Sequence, residues 1–184
     1  MSKSEITKEA LLLQGRRLFW SRGYSNVSVR EIAKAANVDV ALISRYFGSK
    51  LKLFEATLEL IDTVDPAVVS NREELIDMVV NLFVTTPRNT GNPSPITMML
   101  LNAGDSEVGE MVKNAHRTKW QSGLDEIIGS QEQAALFSAA LLGFSVVEKS
   151  LNLPSIPEPQ SKEYELQLRH LLNSAISFNT EKLL

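Results

Sequence analysis

At 184 residues the chain has room for one substantial core or two modest ones, well above the size at which small folds need covalent stapling. It contains no cysteine, which excludes disulfides and thiolate metal sites and fits a reducing compartment. The formal net charge of −3 conceals a division: residues 1–52 hold ten Lys and Arg against Glu5, Glu9, Glu31 and Asp39, a balance of +6, whereas residues 53–184 hold nine against eighteen, a balance of −9. Such polarity suits a polyanion-binding head on an acidic body, with chance clustering of solvated charge as the plainer alternative. The first residues carry only a three-leucine apolar run, Leu11 to Leu13, before charge returns. That is neither a secretory nor a membrane-spanning pattern, so a soluble, unprocessed, cytoplasmic protein with no membrane partner is expected.

Helical spacing dominates and no stretch alternates with period two between hairpin turns, so the expected fold class is all-α. The first helix is expected from about Thr7 to Ser21, with Leu11, Leu12, Gly15, Leu18 and Phe19 inward and Gly23 ending it. Two very short helices follow. Ser28 and Glu31 form a capping-box pattern ahead of Ile32, Ala33 and Ala36, and Asp39 is the next candidate cap, ahead of Ile43 and Phe47. Gly48 breaks that helix, and Ser49 caps a longer one through Leu51, Phe54, Leu58 and Ile61 toward Pro66. Further helices are expected at about 71–86, on Leu75, Met78, Val79, Leu82 and Phe83, and at 94–103, 105–128, 130–151 and 161–179. Turn-rich stretches at 87–95 and 152–160 separate them. The expected division is an N-terminal domain of short helices over 1–52 and a body of longer helices over 53–184.

Two short helices joined by Ala36-Asn37-Val38, completed by the first helix, make a compact unit of helix-turn-helix type. Its second short helix is narrow enough to enter a major groove about 12 Å wide. Leu11-Leu12, Leu18-Phe19, Gly23-Tyr24, Ser28-Val29-Arg30-Glu31-Ile32-Ala33, Val38, Ile43, Tyr46-Phe47 and Ser49-Lys50 also fall at the spacing of a known N-terminal signature. Over about residues 6–60 the chain resembles the TetR family of bacterial transcriptional regulators. It departs from that pattern at Gln14, at Asn37 where glycine is common, and at Ser44 where an aromatic is frequent.

The resemblance implies that Ser28, Tyr46 and Lys50 touch phosphate, that Arg30, Val40, Ala41, Leu42 and Ser44 approach base edges, and that Arg45 is able to do either. The chemistry agrees in outline, since hydroxyls and amines position a protein on the backbone while an arginine fork takes guanine O6 and N7 together. Val40, Ala41 and Leu42 have no side-chain donors, so thymine-methyl contacts and T-rich steps are expected there. Each residue has a plainer reading: Ser28 as a cap alone, Leu42 as core, Arg45 as solvated charge, Tyr46 as packing.

In the body, Ala135, Ser138, Ala139, Leu142, Gly143 and Val146 offer a small-residue face, and Tyr164, Leu168, Leu171 and Ala175 repeat at helical spacing. Two copies would form a four-helix homodimer interface, the arrangement the resemblance also implies; burial within one chain is the alternative. Paired recognition helices one DNA turn apart would then read a near-palindromic double-stranded operator. Met78, Met98, Met99, Met111, Trp120, Phe137 and Phe144, with Asn102 and His116 as polar members, are candidates for an apolar effector pocket, against plain core. Among two histidines, His116 and His170, no metal-ligand spacing occurs, so no metal and no cofactor are expected.

The expected function is a sequence-specific regulator, a repressor on family grounds, released by a small apolar or amphipathic ligand through the helix from Ser49 to about Val64. An all-α enzyme finds no support in a nucleophile motif, phosphate loop or acid–base pair: Glu73-Glu74 and Asp125-Glu126 read as helix-surface charge. A helical protein-interaction module that does not bind DNA is the remaining alternative.

Overall fold

Caps written into the sequence set where the first helices begin. A computed structural model of the chain describes residues 2–61, 65, 67–85, 93–151 and 153–179, leaving the Ser150 side chain aside. Helix α1 spans Lys3–Arg22, one turn earlier than the apolar spacing suggests, because Ser2 and Glu5 form a reciprocal capping box. Gly23 ends α1 at φ +83°, a backbone state that disfavours any side chain. After a short 3₁₀ turn at Tyr24–Asn26 come α2 (Val29–Ala35), α3 (Ala41–Phe47) and α4 (Lys50–Leu58). Asn37 takes φ +54° in the α2–α3 turn, the left-handed conformation that Asn tolerates in place of glycine. The Asp39 carboxylate accepts the Ala41 N–H at 2.7 Å, so it caps α3 from one residue before the formal cap, Val40.

The later helices are α5 (Arg72–Thr85), α6 (Pro95–Asn102), α7 (Gly109–His116), α8 (Ser122–Ile128), α9 (Gln131–Val146) and α10 (Lys162–Ser177). Wide π turns at Arg117–Gln121 and Val147–Leu151 join α7 to α8 and extend α9. The helix expected over 105–128 therefore starts four residues late. Residues 105–108 instead form a loop in which Asp105 Oδ1 accepts from the N–H groups of Glu107 and Val108 at 2.9 and 3.2 Å. The helix expected to run toward Pro66 stops at Leu58, where Leu60 N–H and Ile61 N–H bond three residues back to Thr57 and Leu58 carbonyls. Asp62 to Val64, Pro66, residues 87–92 of one expected loop and Asn152 of the other lie outside the described residues.

The chain forms two compact units: residues 1–62 with 89–117, and residues 63–88 with 118–184. These units do not follow the division expected at residue 52, because Leu53, Phe54 and Leu58 belong to the same core as Leu11, Phe19 and Ile32. Met98 of α6, Val108 just ahead of α7 and Val112 of α7 complete that core. An aromatic triad lies at its centre, with Phe54 edge-on to Phe19 at 5.4 Å and to Tyr24 at 5.3 Å. Trp20, absent from the expected inner face, is fully buried and donates its indole N–H to Thr57 Oγ1 at 3.1 Å. Gly109 is needed for close approach, since a Cβ there would lie 2.8 Å from the Ala103 carbonyl oxygen.

The second unit is built from α5, α8, α9 and α10 around Leu75, Val79, Leu124, Phe137, Leu141 and Leu168. On α5 the buried stripe includes Ile76 and Val80, whereas Leu82, expected inward, is exposed and Met78 is half-buried. The Arg72 guanidinium donates to the carbonyls of Ile128 and Ile176, satisfying acceptors that the ends of α8 and α10 leave open. Arg169 joins α10 to α5 through Asp77, Nη1 to Oδ1 2.5 Å.

Candidate nucleic-acid interface

The first unit carries the expected DNA-contacting residues on α2, α3 and the start of α4. Ile43 is the buried anchor of α3, and one helical repeat around it the surface is open: Val40, Ala41, Ser44 and Arg45 are exposed. Leu42 is half-buried against the core, which gives its plainer reading a share. Arg30 and Arg45 are exposed and make no ion pair among the described residues, so their guanidinium donors are uncommitted. An uncommitted arginine fork on a short exposed helix is chemically suited to a phosphate or a guanine edge.

Three of the expected phosphate contacts are held by neighbours. Ser28 is a working cap: its Oγ accepts from Glu31 N–H, and the Glu31 carboxylate accepts from the Ser28 N–H at 2.9 Å. The Ser28 backbone N–H, its hydroxyl and the Arg22 guanidinium at 2.9 Å bring the Glu31 carboxyl from its ordinary 4.5 down to about 2. Tyr46 is half-buried, and its hydroxyl accepts from Ser4 Oγ at 3.2 Å. Lys50 places its ammonium 3.9 Å from the centre of the Tyr24 ring. Neither Ser4 nor Lys8, whose ammonium lies 5.8 Å from the Phe47 ring centre, is marked by the helix-turn-helix pattern itself. Both belong to the turns of α1 that the capping box adds or borders, and the Ser2-x-x-Glu5 pattern was the available signal.

The candidate pocket residues divide between the two units. Met98 and Asn102 are fully buried in the first, with Met99, Met111 and His116 partly buried there. Asn102 is a structural lock: its Oδ1 accepts the Tyr24 N–H at 2.6 Å, and its Nδ2 donates to the carbonyls of Met98 and Phe19 at 2.8 and 3.3 Å. Both amide N–H donors are thereby engaged. Burial pushes the His116 imidazole below its usual range, and its Nδ1 has no partner among the described residues. In the second unit Phe137 and Phe144 are buried, while Met78 and Trp120 are half-buried. Among the described residues no cluster of His, Asp or Glu is placed to hold a metal ion, and no helix is long and apolar enough to cross a membrane.

The candidate interface residues are divided as well. Ala135, Ala139, Gly143 and Leu171 are exposed, and Leu142, Val146 and Ala175 half-buried. Ser138, Tyr164 and Leu168 are buried within the chain. Tyr164 stacks edge-on to Phe144 at 5.3 Å and donates to Glu148 at 2.9 Å, while Ser138 donates to Gln121 at 2.9 Å. These three serve the core of the second unit.

Together these features define an all-α protein with an N-terminal helix-turn-helix domain. Residues 11–57 match the model of the bacterial regulatory proteins of the tetR family. The chain is 49% identical over 87 residues to the "Probable HTH-type transcriptional regulator YttP" of Bacillus subtilis (strain 168), a match spanning 42% of each protein. Its fold is similar over 95% of its length to that of NalD, described as the secondary repressor of the MexAB-OprM multidrug efflux pump in Pseudomonas aeruginosa (19% identity, TM-score 0.66, 97% of that chain). It is likewise similar to HlyIIR, a Hemolysin II transcriptional regulator, over 95% of its length (21% identity, TM-score 0.61, 97% of that chain). The family likeness thus lies in the N-terminal helices, residues 11–57, and the match to the curated relative spans less than half of that protein's length.

Proposed function

We propose that the chain is a sequence-specific, non-enzymatic transcriptional regulator of the bacterial cytoplasm that binds duplex DNA through α3 and the flanking cations. The observation that carries this reading is the outward face of α3, with Val40, Ala41, Ser44 and Arg45 exposed on a helix anchored by buried Ile43. Arg30 takes a base edge, Arg45 a base edge or phosphate, and Ser28, Tyr46 and Lys50 take phosphate. The functional division remains residues 1–52 for DNA and 53–184 for dimerisation and effector binding. Fluorescence anisotropy of the protein with a random duplex pool at low ionic strength tests it. A complex that weakens steeply with salt is expected, and absence of any complex overturns the reading.

The homodimer is supported by α9. From Ala135 to Val146 it has no charged residue, although Ala135, Leu136, Ala139 and Gly143 face outward. A surface helix that is apolar on both sides calls for cover by another apolar surface. The proposed interface keeps Ala135, Ala139, Leu142, Gly143, Val146, Leu171 and Ala175, with Ser138, Tyr164 and Leu168 supporting it from within. The effector is proposed to be small and apolar or amphipathic, seated in the second unit near Met78, Trp120, Phe137 and Phe144. Release of a repressed target requires that such a ligand bind the DNA-free conformation better, by about 1.4 kcal/mol for a tenfold effect. Constitutive expression of neighbouring genes in a deletion strain supports repression, and loss of their expression overturns it.

A further inference from the structure

The amine expected to meet phosphate already has a seat. Lys50 stands in the first turn of α4 with its ammonium 3.9 Å from the centre of the Tyr24 ring. Tyr24 and its neighbour are fastened to the loop between α6 and α7. The Tyr24 hydroxyl donates to Glu107 Oε1 at 2.6 Å, and the Ser25 hydroxyl donates to Asp105 Oδ2 at 2.5 Å. The Tyr24 N–H, donated to Asn102 at the end of α6, makes the third tie. All of these residues lie within one compact unit. The loop therefore sets one carboxylate, Asp105, within reach of the Lys50 charge, and a second, Glu107, on the hydroxyl of the ring beneath a cation that the helix-turn-helix domain would otherwise offer to DNA. Ser25's hydroxyl holds the Asp105 carboxyl below its ordinary range, with the nearby Lys50 charge contributing. Burial, reinforced by the same acids, pushes the Tyr24 phenol up, so it stays a neutral ring beneath the ammonium.

We infer that the Asp105–Glu107 loop is a charge brake on DNA binding: it keeps Lys50 over Tyr24, in a seat that competes with phosphate. The inference rests on the DNA-binding reading above and adds a sign to it. Lysine's flexible four-carbon stem lets the ammonium swing to phosphate, but only by leaving the ring and the field of the two acids. Neutralising the loop then tightens DNA binding, whereas losing a merely structural contact weakens it.

Asp105→Asn with Glu107→Gln removes the charge and keeps the contacts: the amide oxygen at 107 still accepts from Tyr24 O–H, that at 105 still accepts from the loop N–H groups, and the Ser25 hydroxyl turns to accept from the new amide N–H. Titrated against a duplex selected by the wild-type protein, at low ionic strength, the double variant is expected to bind about two- to fivefold tighter, the scale of a partly exposed ion pair. In a Lys50→Met background that gain is expected to vanish. An equal gain in both backgrounds means general repulsion and overturns the brake, as does no gain or weaker binding. A second readout needs no variant: ring current from Tyr24 shifts the Lys50 ε-methylene NMR signals upfield in the free protein, and DNA is expected to move them back. Signals that stay unmoved in the complex overturn the brake. If the wild-type protein itself binds no duplex, the DNA-binding reading fails, an outcome separate from either of these.

Discussion

The outward faces of α3 and α9 are both open, yet their chemistry differs. α3 presents Val40, Ala41, Ser44 and Arg45, a mixture that water tolerates and that a polyanion with methyl-bearing edges can engage. α9 presents Ala135, Leu136, Ala139 and Gly143 with no charge as far as Val146, a face that water does not favour. The contrast distinguishes a surface that must stay soluble between encounters from one suited to steady cover. Small side chains on α9 also let a partner helix come close, whereas α3 keeps its longest side chain, Arg45, for reach.

Charging the apolar face has the largest expected effect. Ala139→Glu lies on an exposed position and leaves the chain folded, but a carboxylate buried unpaired between two copies costs about 3–5 kcal/mol. Light scattering is expected to show a monomer, with operator affinity falling by at least about a hundredfold; an unchanged dimer breaks the contrast drawn between the two faces. Next is Asn102→Ala, which strands the buried Tyr24 N–H. A loss of about 2–3 kcal/mol in denaturant unfolding is expected. DNA binding should weaken only as folding does.

On the α3 side the effects are smaller. Lys50→Ala is expected to lower affinity for all sequences and reduce the salt slope by about one unit, while Arg30→Ala relaxes sequence preference with little change in slope. If Lys50→Ala changes neither affinity nor slope, its phosphate role is wrong. The mildest test is one of pH. The folded-state carboxyl of Glu31 is depressed to about 2 from 4.5, so its stabilising contribution is complete above about 4.5 and is lost as pH falls toward 2. Glu31→Gln is expected to flatten that portion of an acid-unfolding profile monitored by circular dichroism.

How much was legible depended on whether a signal was local. Ser28 with Glu31, Gly23, Gly48 and Ser49 mark their helix ends within a few residues, and the structure places those ends accordingly. Ser2 with Glu5 is the same kind of signal, but it lies one turn ahead of where the apolar spacing begins. The wide turn at Arg117–Gln121 contains neither glycine nor proline, so nothing in those five residues announces it. On α5 apolar residues occupy more than one stripe, and only packing selects Ile76 and Val80 over Leu82. The exposed face of α3 was readable from its burial period. The seat of Lys50 was not, since its ring and its carboxylates come from residues 24, 105 and 107.

The sequence by itself determined the helical class, the caps and turn of the helix-turn-helix domain, and the positive balance of its first 52 residues. These rest on hydrogen bonds and spacings that act within one or two turns of chain. Tertiary structure alone decided that α6 and α7 share a core with the head, that Asn102 locks it, and that Tyr164 and Leu168 lie inward. Those outcomes depend on which distant side chains fill a space or satisfy a buried donor, and a linear pattern of apolar and polar residues leaves that choice open.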